Sequence, residues 1–392
     1  MLKKVIIVCA VLILGLPAAG ILVAWSGIFN VAATQGHSAP VAWFLHFTMK
    51  NSVRAHARHI EVPEDIASQT RVRRGAGHYA LGCASCHGAP GNTRNPIVKQ
   101  MVPPPPPLVE HVADWKAREL FWIVKHGIKY AGMPAWPAQN RDDEVWDVIG
   151  FLQKLPEMSG NQYLDLVGRD GKPEQSENTK QSRTSDPAVP LVQLASHRSQ
   201  TPAQTPAVQT CARCHGLDGL GGAGGSFPRI AGHPEGFLRA TIMDYAEHRR
   251  SSGIMMPVAA QLSDSQISQL AAFYATQPRK GAGAALEKTS PNIQLGENLA
   301  LHGDPANDIP KCNSCHGRVH VISQQDGSSS KSIFPELRGQ NADFLKRQLG
   351  LFRDGRRGGA RANVMRLIAD RLSDKQVEAL AAYYAQASIN PE

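Results

Sequence analysis

Three short runs concentrate the residues able to do chemistry: CASCH at 83–87, CARCH at 211–215 and CNSCH at 312–316. Each puts two thiols and an imidazole within five residues, and a glycine follows each one. Such a cluster could grip a metal ion, run a thiol–disulfide cycle or carry a haem. Six of the seven cysteines lie in these runs: Cys83, Cys86, Cys211, Cys214, Cys312 and Cys315. Cys9 is left over inside an apolar stretch, so no long-range disulfide framework exists. Structural zinc takes four nitrogen or sulfur ligands at close spacing, whereas each pair here stands far from the next. A redox C-x-x-C wants a strand before it and a βαβ setting, and no such alternation surrounds these pairs. Two cysteines three apart can each form a thioether to a vinyl group of one porphyrin, with the next histidine beneath the ring. The spacing therefore points to three haem c groups, with His87, His215 and His316 as proximal iron ligands.

A second landmark follows each run. Met133 in YAGMPAW, Met255 in SGIMMPV and Met365 in ANVMRLI supply a soft thioether for the other axial position. The expected axial pairs are His87/Met133, His215/Met255 and His316/Met365. Nine positions after each methionine stands an acid, Asp142, Asp264 or Asp374, opening an apolar pattern of helical period. A serine precedes the acid in LSDSQ and LSDKQ, which is an N-cap signature. Each unit is thus predicted to end in a helix that starts just past its methionine. Counting back from Leu262 and Leu372 sets Met255 level with Met365, so Met256 is assigned to packing.

The elements that position these residues must be several. A chain of 392 residues suggests two to four domains, and 35 Gly with 27 Pro fit small units joined by irregular segments. A net charge of +9 suits an acidic partner, anionic lipid or nucleic acid and does not choose among them. From Val5 to Phe29 the chain carries no charge, and Lys3 and Lys4 precede it. That length can span a hydrocarbon core, with the lysines kept cytoplasmic and the rest exported. The competing reading is a signal peptide cleaved near Pro17-Ala18-Ala19-Gly20. The segment from His37 to His59, with Trp43 and Phe44, could ligate a cofactor, line a quinone site or lie on lipid headgroups. A polar stretch without apolar period reads as a tether, and Pro103 to Pro107 as a stiff loop. Gly219 to Gly224 matches G-x-G-x-x-G but follows a haem run rather than a strand, so it reads as a loop and not a dinucleotide site.

CARCHGLDGLGG, FPRIAGH and MMPVAAQLSDSQISQLAAFYA, with CNSCHG, FPELRGQ and MRLIADRLSDKQVEALAAYYA, resemble the cytochrome c4 type of the class I cytochrome c family. GHYALGCASCHGAPG and HGIKYAGMPAWP resemble single-haem modules of membrane-bound cytochrome c subunits. The resemblance implies an all-α chain: an N-terminal transmembrane helix followed by three class I cytochrome c-like haem domains. The expected division is an anchor at 1–30, a juxtamembrane segment at 31–70, haem domains at 71–156, 206–280 and 290–392, and a polar linker at 157–205. In the family a proline carbonyl orients the proximal histidine; Pro228 and Pro335 match it, and in unit one Pro90 or the proline run stands in. Unit two departs where a helix should precede its haem run, because Pro202 and Pro206 interrupt it.

An iron with both axial sites filled by protein has no open position, so it moves electrons. The expected function is a periplasmic electron relay held to a bacterial inner membrane, between a respiratory donor and an oxidase or reductase. The alternatives are a cytochrome subunit of a dehydrogenase passing electrons to quinone, or a haem enzyme, peroxidase-like or thiosulfate dehydrogenase-like. No catalytic residue is assigned. Expected partners are an acidic redox protein and the membrane, with no nucleic acid. Arg347, Arg353, Arg356, Arg357, Arg361, Arg366 and Arg371 are the candidate docking face for the acidic partner.

Overall fold

The computed structural model describes residues 3–6, 11–28, 30–92, 94–167, 205–221, 226–279, 290–317, 322–323, 329–330, 334–359 and 362–387. Its longer helices are α1 (Leu16–Ser26), α2 (Ala39–Ala57), α3 (Gln69–Gly82), α4 (Ala117–His126), α5 (Asp142–Leu152), α6 (Gly160–Val167), α7 (Pro206–His215), α8 (Glu235–Ala246), α9 (Asp264–Ala275), α10 (Pro291–His302), α11 (Ala342–Arg353), α12 (Ala362–Arg371) and α13 (Asp374–Gln386). Among the described residues the only strands are two-residue pieces, Ile322–Ser323 and Ser329–Ser330, paired antiparallel.

The three unit-closing helices α5, α9 and α13 begin at Asp142, Asp264 and Asp374. The last two start with a reciprocal cap. Ser263 Oγ accepts from the Gln266 amide while Gln266 Oε1 accepts from the Ser263 amide, and Ser373 and Gln376 repeat this. The first has no such cap; three acids, Asp142, Asp143 and Glu144, fill its first turn instead.

α3 packs along α5, and α10 along α13. The crossings are close because each carries a glycine where a side chain would not fit. A Cβ on Gly75 would overlap the Asp147 carbonyl, and one on Gly296 would overlap that of Ala379. The first core forms around Tyr79, Phe121, Trp146, Ile149 and Phe151, with Phe121 stacked on Trp146 at 4.2 Å. The third forms around Ile293, Leu299, Leu380 and Tyr384. The second core is smaller, around Val208, Leu270 and Tyr274. It has no long leading helix among the described residues: α7 starts at Pro206 under a Thr205 side-chain cap and runs straight through the haem run to His215.

Two boundaries differ from expectation. The polar stretch from 157 does not begin as a tether, because α6 packs back on the first core and buries Tyr163 to 4% exposure. The signal was NQYLDLV, which carries apolar residues on one helical face. At the amino terminus the described part of the apolar run comprises helical Val5 and Ile6, a π turn at Val11–Gly15, and the eleven-residue α1, whose first turn contains Pro17, followed by Gly27 and Ile28. Among the described residues no helix is long and apolar enough to cross a membrane. Residues 1, 2 and 7–10, with Cys9, lie outside the described residues, as does most of the expected 157–205 linker.

The three units meet through polar contacts and, between units one and two, through a small apolar cluster in which Trp136 and Ala138 pack with Tyr245, Met256 and Ala259. Asp147, fully buried on α5, receives Arg74 at 2.6 Å and Arg71 at 3.1 Å from α3, and Arg347 at 3.3 Å from α11. Glu144 accepts from Ser252 Oγ at 2.7 Å and from the Gly253 amide at 2.7 Å, joining units one and two. Units two and three meet through their FPRIAGH and FPELRGQ loops. Gln340 exchanges two hydrogen bonds with the Arg229 backbone, and the Glu336 amide donates to His233 Nδ1 at 3.3 Å.

Candidate functional site

Each haem run occupies a single helical turn: Ala84–His87 after α3, the end of α7, and Asn313–His316. Residues i, i+3 and i+4 of a helix share a face. That geometry sets Cys83, Cys86 and His87 on one side of their turn, and likewise Cys211, Cys214 and His215, and Cys312, Cys315 and His316. None of the six thiols is in a disulfide.

The three imidazoles are held alike. His87 Nδ1 lies 2.9 Å from the Pro106 carbonyl, His215 Nδ1 3.0 Å from that of Pro228 and His316 Nδ1 2.9 Å from that of Pro335. A carbonyl can only accept, so Nδ1 carries the proton and Nε2 keeps its lone pair. No partner occupies Nε2 among the described residues. Burial drives all three histidines to a lowered pKa, against the raising effect of the proline carbonyl, so the rings stay neutral. Phe227 and Phe334 stand edge-on to His215 and His316, at 6.4 and 6.2 Å. Tyr79 and Tyr274 donate to the carbonyls of Gly88 and Gly216, fixing the residue after the ring.

The structure supplies Pro228 and Pro335 where expected, and Pro106 from the proline run as the unit-one partner rather than Pro90. Sequence reasoning left that position open, yet a signal existed: the histidine-to-proline interval is 19 residues in both units one and three, and 13 in unit two.

The thiols argue against redox cycling. Burial pushes Cys83 up to about 12, and Cys211, Cys214 and Cys312 up to about 11. A thiol that attacks disulfides has its pKa lowered, not raised. Among the described residues no three His, Cys, Asp or Glu side chains converge as a metal cage would require. The donor set fits a haem in each unit: two unoxidised thiols on one helical face and a neutral imidazole locked with Nε2 free.

Met133 sits in a tight loop, its carbonyl accepting from Ile128 at 3.1 Å, with Gly127 at positive φ where a Cβ would crowd it. Met255 opens the short helix Met255–Ala259, and Met365 lies within α12. All three are half-buried. Met256 is buried at 7% exposure, and its Sδ accepts from the Ser252 amide at 3.2 Å. Its sulfur is engaged within the protein and Met255 is the one left available.

Most of the arginine-rich stretch is engaged within the chain. Arg347 is committed to Asp147, and Arg353 to Asp374 at 2.6 Å and to the Leu372 carbonyl. Arg356 pairs with Asp354, Arg357 stacks on Phe352 at 4.2 Å, and Arg371 donates to the Asp308 carbonyl. Arg361 lies outside the described residues, and Arg366 and Arg371 are exposed. Charge density along the sequence signalled internal tethers here. Sequence reasoning also missed Trp136, three residues past Met133. Its ring fills the space a Cβ would need at Gly253, two residues before Met255, so the methionine loops of units one and two touch.

Residues 70–152 and 201–273 match the family described as cytochrome c oxidase, cbb3-type, subunit III. The chain is similar to the thiosulfate dehydrogenase electron acceptor of Stutzerimonas stutzeri (strain A1501), 37% identical over 46% of this chain and 80% of that protein. It is also similar to cytochrome c4 of Thiocapsa roseopersicina, 36% identical over 44% of this chain and 84% of that protein. Among solved structures, reduced recombinant cytochrome c4 from Pseudomonas stutzeri aligns at 29% identity over 46% of this chain and 95% of its own, with a TM-score of 0.40. With its haem runs, its proline-held histidines and these relatives, the chain belongs to the cytochrome c4-like family of class I c-type cytochromes, electron-transfer proteins with covalently bound haem c.

Proposed function

We propose that the protein is a three-haem electron relay, anchored by its amino terminus to a bacterial inner membrane, with haem units at 71–156, 206–280 and 290–392 on the periplasmic side. The observation that carries three haems rather than one is the repeated proximal arrangement, with a proline carbonyl on Nδ1 of His87, His215 and His316 alike. In this reading the paired cysteines form the thioethers, and Met133, Met255 and Met365 complete the axial sets. Bound haem supplies a one-electron iron couple. The chain's own residues orient the imidazole, keep its proton on Nδ1 and exclude water around it, which steadies the couple without opening a substrate position.

The net charge of +9 supports an acidic redox partner. Relatives named as electron acceptors of thiosulfate dehydrogenase support a periplasmic dehydrogenase as the donor, with an oxidase or reductase downstream. The apolar run from Val5 to Phe29 after Lys3 and Lys4 supports the anchor. The deciding experiment is a haem count per chain by pyridine haemochrome on protein made with a c-type maturation system. Three is expected. One or two would overturn the relay as stated, and a centre that binds carbon monoxide in the native protein would favour a haem enzyme.

A further inference from the structure

α2 changes character along its length. Residues Ala39–Thr48 are exposed on every side, with Trp43 66%, Phe44 59% and Phe47 54% exposed, and Trp43 stacked on Phe47 at 5.4 Å. A helix apolar all round has no single face for a protein groove and belongs in an apolar solvent. Its charge-free part, Ala39 to Phe47, contains His46 as its one titratable residue and rises about 13 Å, the depth of one leaflet's hydrocarbon. The second half docks on unit one: Val53 and Ala57 are fully buried, and His56 lies 5.5 Å from Trp122 of α4.

At that junction the structure has an open groove of about 780 Å³, lined by Arg58, His59, Lys116 and Arg118. It shares Arg58, Lys116 and Arg118 with a second groove of about 610 Å³ that adds Arg54 and Trp115. None of these four cations forms an ion pair among the described residues, and Arg118 gives one N–H to the Arg58 carbonyl. The acids present do not cancel them. Glu119 is buried and accepts from the Lys116 amide, Asp114 faces His111 at 3.1 Å, and Glu61 is the one acid against three Lys and Arg side chains in the lining of the first groove. Two elements sixty residues apart in sequence thus build one cationic site at the foot of an apolar helix.

We propose that this groove binds the headgroup of an anionic phospholipid while the apolar half of α2 enters the same leaflet. Charge complementarity and the order of the residues, aromatic belt first and cations behind it, select a lipid surface over a soluble anion. The site docks unit one against the membrane beside the anchor; it rests on the membrane-side reading above and adds a second attachment to it.

The test is hydrogen exchange of the full holo chain in detergent, in phosphatidylcholine vesicles, and in the same vesicles with phosphatidylglycerol. Amides of 50–62 and 113–118 should slow only with phosphatidylglycerol, and added salt should reverse the effect. R58Q and K116Q, at exposed positions, should each weaken the phosphatidylglycerol-dependent binding about fivefold. Equal exchange with and without phosphatidylglycerol would overturn the proposal, as would the same protection from inorganic phosphate in detergent. Failure to sediment with phosphatidylcholine vesicles would instead count against the anchor, and the phosphatidylglycerol-dependent protection would still decide the groove.

Discussion

Where a proline carbonyl accepts a hydrogen bond from Nδ1–H, the other ring nitrogen keeps its lone pair and becomes a directed base. The cysteines and histidines were legible in the sequence as candidate attachment sites because thioether chemistry would demand their spacing. The proline was less so, since a carbonyl belongs to any residue and the run from Pro103 to Pro107 offers five of them. The methionines were readable as candidate ligands only through register, and unit two offered adjacent candidates. The Ser252 amide on Met256 Sδ separates them physically. In the proposed relay, Met255→Leu should therefore remove the thioether ligand of unit two and let that centre bind carbon monoxide. Met256→Leu should keep the ligand and lower stability by less than about 1.5 kcal/mol, as a volume-conserving core change does. Visible spectra with and without carbon monoxide check both. Carbon monoxide binding in the Met256 variant and not in the Met255 variant would reverse the assignment.

At the level of elements, helix starts were readable and close approaches were not. The serine caps of α9 and α13 are local chemistry, written in three or four consecutive residues. The α3–α5 crossing depends on residues more than seventy apart in sequence, and only the fold shows that Gly75 faces the Asp147 carbonyl. α6 was easily overlooked because its apolar face, Tyr163 with Leu166 and Val167, spans only two turns and leads straight into a polar stretch. The glycines make the point testable. Gly75→Ala and Gly296→Ala each force a methyl group onto a backbone carbonyl and should cost about 1–3 kcal/mol. Gly350→Ala, on α11 with open space around it, should be neutral or stabilising. Thermal melting of the three holo proteins compares them, and equal midpoints for all three would rule out the close-packing account.

Across the whole molecule, three small cores are joined by one small apolar cluster and by buried polar contacts, and the polar contacts make the assembly sensitive to charge. Asp147 holds three guanidinium groups from two units at zero exposure. Asp147→Asn should cost about 3–5 kcal/mol, because it strands buried positive charge rather than deleting a pair. Early loosening of unit one from unit three, read by limited proteolysis, should accompany it. The contact between units two and three answers to pH. His233 receives the Glu336 amide on Nδ1, so its Nε2 carries the proton and donates to the Arg229 carbonyl at 3.1 Å. Burial depresses His233 from 6.5 to about 3, helped by the charge of Arg279. Below pH 6.5 the unfolded chain takes up a proton that the folded chain refuses, so the stability His233 confers is complete above 6.5 and declines as pH falls toward about 3. The loss is about 1.4 kcal/mol per pH unit for this one proton. Gln340, at the matching position of unit three, makes its contacts with a side chain that does not titrate. His233→Gln should therefore flatten the acid limb of melting temperature against pH between 6.5 and 3 while leaving the limb above 6.5 unchanged. The substitution leaves the three haem runs unchanged in sequence, so the difference between the two curves reports this position. Parallel curves would show that His233 is not the group through which acid reaches the contact between units two and three.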